Sequence, residues 1–319
     1  MRPTLEDKER QYRSIYEFFY EIPRIPINEI ASRLQVTRHT AKNRLKELFG
    51  LGYASIPQIR MRSFANMLEY VYFLSCENPV ELFSEYQRIE SVIYHATMYG
   101  STNLWVVSKE ELDFDCNVLV GGPRSDYHLS YAPNHSWDTA IKRMRKKVEN
   151  FNPYDYSPER ILETHWDETL EWDSEQERLF HVFNYDLRQP ISTIQKKNLI
   201  SWAKIDAWLK NLSEYCTIIN AYYPERISSY DPHLFVFETD YEDFLINLFS
   251  ELPTTSWFFR VSNKLFLYAH VKKEYSRVVD FQIDITRLQI PELVTKLIKK
   301  GIVHSGFDAI VQCYWNKDP

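Results

Sequence analysis

The chain has 319 residues, 44% hydrophobic and 15% aromatic, which is enough for several cored domains and too apolar for a disordered chain. Its net charge of -6 excludes a protein coated in basic surface. Its 7 glycines form no GxGxxG or GxxxxGK[ST] loop to cradle a phosphate.

Leu5–Ile22 carries Tyr12, Ile15, Tyr16, Phe19 and Ile22 on one face and reads as a helix closed by Pro23. A short helix at Ile27–Leu34 and a turn at Gln35-Val36 follow. Thr37 is placed to N-cap a further helix, its hydroxyl accepting an orphan backbone N–H. That helix buries Ala41, Leu45 and Leu48 and ends at Gly50-Leu51-Gly52. Its other side shows Arg38, His39, Thr40, Lys42, Asn43, Arg44 and Lys46. This is the pattern of a helix-turn-helix, and Tyr53–Arg62, with Arg60 and Arg62, reads as its wing. Residues 1–62 hold 12 Lys/Arg against 7 Asp/Glu, a surplus of five that leaves the rest of the chain net negative by eleven. A basic head on an acidic body suits a domain that binds double-stranded DNA. Arg38, Lys42, Arg44 and Lys46 would meet phosphates or guanine edges, and Thr37, His39, Thr40 and Asn43 bases or backbone. Arg60 and Arg62 would hold the flanking backbone.

Alternation then predicts strands at 69–75, 91–100 and 102–110, with a short amphipathic helix at NPVELFSEYQRI. A further extended pair is expected within Cys116–Ser130 and a helix at Trp137–Phe151. With a last strand expected in Arg160–Trp172, the order is ferredoxin-like, β-α-β-β-α-β. Displaced by 164 positions, RIPINEIASRLQVTRHTAKNRLKEL lies over RQPISTIQKKNLISWAKIDAWLKNL without a gap, and EYVYF lies over HLFVF. The expectation is an α+β tandem repeat of winged helix-turn-helix plus ferredoxin-like domain: winged helix at 1–62, sensing and dimerisation domain at 63–172, degenerate winged helix at 173–230 and second ferredoxin-like domain at 231–319. In the second copy, Trp202, Asp206 and Trp208 replace Arg38, Lys42 and Arg44, so that helix is expected to pack or dimerise.

Other chemistry is thinly represented. There is no HExxH, and His128 and His135 lie among tyrosines, so no metal site, catalytic residue or cofactor is expected. The basic run at 141–147 reads as the solvated face of a helix. The aromatic residues read as core and sheet-pairing residues rather than the lining of a flat ligand pocket. Cys76, Cys116, Cys216 and Cys313 are far apart with no CxxC, so no disulfide framework is expected and a reducing cytoplasm fits. No apolar run approaches the ~20 residues that span a bilayer, and MRPTLEDKERQ lacks the apolar core of a signal peptide, so no membrane partner is expected.

INEIASRLQVTRHTAKNRLKELFGLGYA, followed by EYVYF and NLWVVS, resembles the leucine-responsive/asparagine-operon family of transcription regulators. The resemblance implies a regulator that is not an enzyme, a helix reading the major groove, a homodimer and a small-molecule effector. The segment SVIYHATMYGSTNLWVVS is also similar to a strand of the siroheme decarboxylases, in which a histidine precedes Asn-Leu-Trp, here His95 and Asn103-Leu104-Trp105. That resemblance implies an enzyme of the alternative haem pathway as the second reading. The arginine-arginine-isoleucine-glycine stretch of that family is replaced here by GYASIPQIRMR. A third reading is a protein-interaction adaptor.

Overall fold

The computed structural model describes residues 4–273 and 289–317. The chain is α+β, with helices and antiparallel sheets, and divides into two compact units: Met1–Met61 with Glu171–Ser229, and Arg62–Leu170 with Tyr230–Pro319.

In the first unit, helix α1 (Leu5–Glu21) starts at a capping box of Thr4 and Asp7 and buries Tyr12, Ile15, Tyr16 and Phe19. Helices α2 (Ile27–Arg33) and α3 (Arg38–Gly50) follow, and the Thr37 hydroxyl accepts the Thr40 N–H at 3.1 Å as the spacing predicts. Gly52 takes φ +75°, the left-handed conformation a glycine adopts without strain. Strand β1 (Gln58–Met61) ends this stretch. The later chain adds α6 (Ser174–Phe183), α7 (Ile191–Asn198), α8 (Trp202–Lys210), α9 (Leu212–Tyr215) and β7 (Cys216–Ile219). The 164-residue offset that aligns the sequence also joins the first residues of α2 and α7, and of α3 and α8.

The expected wing is replaced by a different pairing. Strand β1 runs antiparallel to β7, Gln58 opposite Ile219 and Met61 opposite Cys216. Both strands bury apolar side chains, among them Ile59, Met61, Cys216 and Ile219, so this ribbon is packed into the unit rather than projecting from it.

Among the described residues, the second unit holds one nine-stranded sheet. Its first stretch contributes β2 (Tyr70–Ser75), α4 (Pro79–Tyr86), β3 (Val92–Gly100), β4 (Leu104–Ser108), β5 (Asn117–Pro123), β6 (His128–Leu129) and α5 (Trp137–Asn150). The second contributes β8 (Tyr230–Glu238), α10 (Glu242–Phe249), β9 (Trp257–Val261), β10 (Lys264–Lys272), α11 (Gln289–Lys299) and β11 (Ser305–Asn316). The strand order is β5-β2-β4-β3-β11-β8-β10-β9-β6. The second stretch therefore has the ferredoxin-like arrangement, its fourth strand beside its first. The first stretch departs from it: no strand forms within 160–172, where His165 makes only an isolated bridge to Phe64. The place beside β2 is filled instead by β5, which precedes α5 in the chain. Strands β5 and β6 do not pair with each other either; they form opposite ends of the sheet.

Those ends are consecutive in sequence. After pairing with β2, the chain crosses at Arg124, which bridges to Val261, and pairs through β6 with β9. The Ser125 N–H donates to the Arg260 carbonyl at 2.8 Å, and the Arg260 N–H to the Ser125 hydroxyl at 2.8 Å. One segment thus joins both edges, and the sheet rolls into a barrel around Phe73, Trp105, Val236, Phe259, Phe266 and Val311.

Cys76 and Cys116 form a disulfide, with Cα atoms 5.3 Å apart. The expectation of unpaired cysteines fails because Ser75 lies opposite Asn117 in the sheet, which sets the two cysteines side by side. Among the described residues no helix is long and apolar enough to cross a membrane.

Candidate functional site

Strand alternation directs every second side chain of the rolled sheet inward. Along β3 these include Tyr94, Ala96 and Met98, along β4 Trp105 and Val107, along β9 Phe259 and Val261, and along β10 Phe266 and Tyr268. Register then gathers aromatic residues that lie far apart in sequence. Trp105 stands opposite Ala96, as does Tyr314, and Trp257 stands opposite Tyr268. Tyr94 packs edge-on to Trp105 at 4.8 Å and stacks on Tyr314 at 6.1 Å. Tyr268 lies 6.1 Å from Trp105, 6.2 Å from Trp257 and 5.3 Å from His270. Tyr127, in the crossing segment, meets Trp257 and Phe259 edge-on.

This cluster is packed ring on ring and reaches solvent at its edge. Tyr94, Tyr127, Trp257 and Tyr268 are only half-buried, and Tyr314 is 66% exposed. Desolvation pushes the Tyr94 phenol well above its ordinary value, reinforced by Tyr268, Tyr314 and Tyr127, and it raises Tyr268 likewise. These phenols therefore stay protonated at neutral pH and serve as hydrogen-bond donors. The indole N–H groups of Trp105 and Trp257, which flank Tyr268, have no hydrogen-bond partner among the described residues. Three further buried indoles share that condition, so the placement of these two beside the phenols is what sets them apart. Burial, with a contribution from His233, lowers His270 to about 3, which keeps its imidazole neutral. The cluster thus offers aromatic faces and neutral donors, the chemistry that holds a planar ligand with acceptor oxygens on its edge.

Behind it, Arg124 is fully buried, paired with Glu69 at 2.7 Å and lying 4.1 Å over the Tyr127 ring. A second charged node lies at Asp126, Glu163 and His165, whose ligand-type atoms fall within 4.8 Å of one another. Its cation is a guanidinium: Arg62 Nη1 donates to Asp126 at 3.1 Å, Glu163 at 2.9 Å and His165 at 3.0 Å.

The residues expected to contact DNA divide into an exposed group on α3 and others engaged in internal contacts. Arg38, His39, Lys42, Asn43 and Lys46 lie exposed on α3, with His39 and Asn43 bonded to each other at 3.1 Å. Thr37 and Thr40 are engaged in the cap. Arg44 is buried beside Ala41 and Leu48, donating to Gln11 at 2.6 Å and Glu47 at 2.9 Å, while Leu45 is only half-buried. Arg60 donates to Asn184 and lies over the Tyr185 ring. Arg62 belongs to the charged node, so neither wing arginine is free for a phosphate.

His95 also sits elsewhere. It alternates with Tyr94 and Ala96 and so lies on the opposite face of the sheet, fully buried between Phe83 of α4 at 4.4 Å and Trp315 at 5.0 Å. Burial lowers its pKa. Asn103 pins the end of β2, accepting the Cys76 N–H at 2.9 Å and donating to the Cys76 carbonyl at 2.7 Å. Of that sequence segment, Tyr94 and Trp105 belong to the aromatic cluster.

No protein-family model matches the chain, and no curated protein sequence matches it. Two solved structures are similar to it. The crystal structure of the siroheme decarboxylase NirDL superposes with a TM-score of 0.50 at 12% identity, over 97% of this chain and 93% of that one. A crystal structure of NirDL in co-complex with an iron-uroporphyrin III analogue gives a TM-score of 0.45 at 12% identity, over 95% and 92%. The expectation of a DNA-binding transcription regulator without enzymatic activity is thereby corrected. Along nearly the whole chain the fold is similar to that of the siroheme decarboxylase NirDL, and Arg44, Arg60 and Arg62 are engaged in internal contacts.

Proposed function

We propose that the chain binds a siroheme-type tetrapyrrole and removes carboxylate from it, with the aromatic cluster of the barrel as the binding site. The observation that carries this reading is the convergence of Tyr94, Trp105, Trp257 and Tyr268 inside a fold similar to that of a siroheme decarboxylase. A macrocycle edge would stack on these rings, and its carboxylate oxygens would accept hydrogen bonds from the phenols and indoles. Decarboxylation breaks the bond between the side-chain carbon and its carboxylate, releases carbon dioxide, and places a proton on that carbon. The reaction consumes one proton and needs no oxidant. Tyr94 and Tyr268, phenols that are protonated at neutral pH, are the groups that would hold that proton at the reacting carbon.

The test is an absorbance titration with siroheme and measurement of carbon dioxide release. Siroheme binding should shift the absorbance spectrum, and Tyr268→Phe should retain binding while lowering turnover by roughly 10²-fold or more. A flat titration, or full turnover in Tyr268→Phe combined with Tyr94→Phe, would overturn the reading.

A further inference from the structure

We infer that the turn joining α7 to α8 is a membrane-contact site, which seats its apolar tip in an anionic lipid surface. Leu199, in that turn, is 87% exposed and holds φ +57°, a left-handed conformation that a leucine adopts only at a cost. Water thus meets an apolar side chain on a strained backbone, two disadvantages at one residue. Trp202, three residues on, is 56% exposed, and Ala203 and Ala207 continue the exposed apolar face along α8. The internal repeat supplies the comparison. The same places in the first copy, 164 positions earlier, hold Gln35, Arg38, His39 and Asn43, all four exposed, and Gln35 is left-handed too at φ +55°. The fold therefore asks for a left-handed turn here but not for apolar residues around it. In the second copy those residues serve something outside the chain's own packing.

The charge around the tip identifies the surface it fits. Residues 191–210 carry four lysines against the single carboxylate of Asp206, in a chain whose net charge is -6. Asp206 is paired with Lys210 at 2.7 Å, and Lys204 is taken up by Asp173 and Glu175, each at 2.5 Å. Lys196 and Lys197, exposed in the last turn of α7, have no carboxylate partner among the described residues. Arg178 donates to the Asn198 carbonyl at 3.4 Å and so adds a third cation beside the turn. An aliphatic tip, an indole behind it and lysines around it match the layers of a lipid interface: acyl boundary, headgroup level and phosphate. Pairing this face with its own copy would instead set the lysines of one chain against those of the other. Attachment at a surface needs no spanning segment, so the short apolar runs of the chain do not oppose it.

The experiment is co-sedimentation of the full chain with vesicles of equimolar phosphatidylglycerol and phosphatidylcholine, and with vesicles of phosphatidylcholine alone. Binding to the anionic vesicles is expected to be at least about fivefold tighter, and to weaken at least about fivefold between roughly 0.05 M and roughly 0.5 M salt. Leu199→Asn should weaken it at least about threefold. The same variant should leave the melting temperature unchanged or higher, since asparagine accepts the left-handed conformation. Lys196→Gln combined with Lys197→Gln should weaken binding at least about tenfold. The blue shift of tryptophan emission that vesicles induce should be smaller in Trp202→Phe. Arg38→Ala with Lys42→Ala on α3, and exposed Val80→Asn on α4, should leave binding unchanged. Siroheme titration of Leu199→Asn should also be unchanged, which separates this contact from the barrel cluster. The inference is overturned if anionic vesicles do not bind at millimolar lipid, if phosphatidylcholine alone binds as tightly, or if the α3 pair of substitutions acts as strongly as the α7 pair. It is equally overturned if sedimentation without lipid shows a dimer that Leu199→Asn dissociates, which would assign the tip to a second copy of the chain.

Discussion

His270 is a single buried imidazole with a consequence for acid stability. Its pKa falls from 6.5 to about 3 in the fold, because burial and the neighbouring His233 disfavour the charged ring. The unfolded chain therefore takes up this proton first. The associated stability is present above pH 6.5 and is lost as pH falls toward 3, at up to about 1.4 kcal/mol per pH unit. Urea unfolding at stepped pH should show that slope, and His270→Gln should flatten it. Arg44 supplies a contrasting case. It lies on the same stripe of α3 as Ala41 and Leu48, but its charge made it read as surface, because its partners Gln11 and Glu47 are settled by packing against α1. Arg44→Ala should cost about 1–3 kcal/mol in urea unfolding, whereas exposed Arg38→Ala should change stability by less than about 0.5 kcal/mol. Equal costs would contradict the placement of Arg44.

At the level of elements, local signals were informative where the hydrophobic period is strong. Helices α1 to α5 and strands β2 to β4 fall close to where periodicity, the Thr37 cap and Gly50-Leu51-Gly52 place them. What the local pattern could not supply was choice of partner. The segment at Tyr53–Arg62 carries a strand signal, yet nothing within it says that residues 216–219 will lie alongside. Substitution of β5 for the expected strand in 160–172 is likewise decided by competition for the edge of β2. The aromatic cluster was hidden for the same reason: Trp257 meets Tyr268 across a hairpin, while Trp105 and Tyr314 meet over Ala96 from opposite ends of the chain. The disulfide depends on register as well. Replacing both Cys76 and Cys116 with serine should lower stability by about 2–4 kcal/mol, since 40 residues separate the pair. An unchanged urea midpoint under oxidising and reducing conditions would show that the cross-link contributes nothing.

At the scale of the molecule, each compact unit is assembled from an early and a late stretch of chain. The barrel is the clearest instance, because β3 pairs with β11 and β6 with β9. A protein cut near Tyr156 should keep both pieces together through gel filtration. Either piece expressed alone should aggregate, since the early piece would bare β3 and the late piece both β11 and β9. A well-behaved, folded early piece would be the contrary result.

The segment that carries β5 across to β6 makes the barrel a ring closed by its own chain. Associations that separate molecules must make by encounter are here unimolecular, so dilution should leave the melting temperature of the barrel unchanged. Closure also means that opening the barrel for a bulky guest would require the whole ring to breathe rather than one hairpin to swing aside.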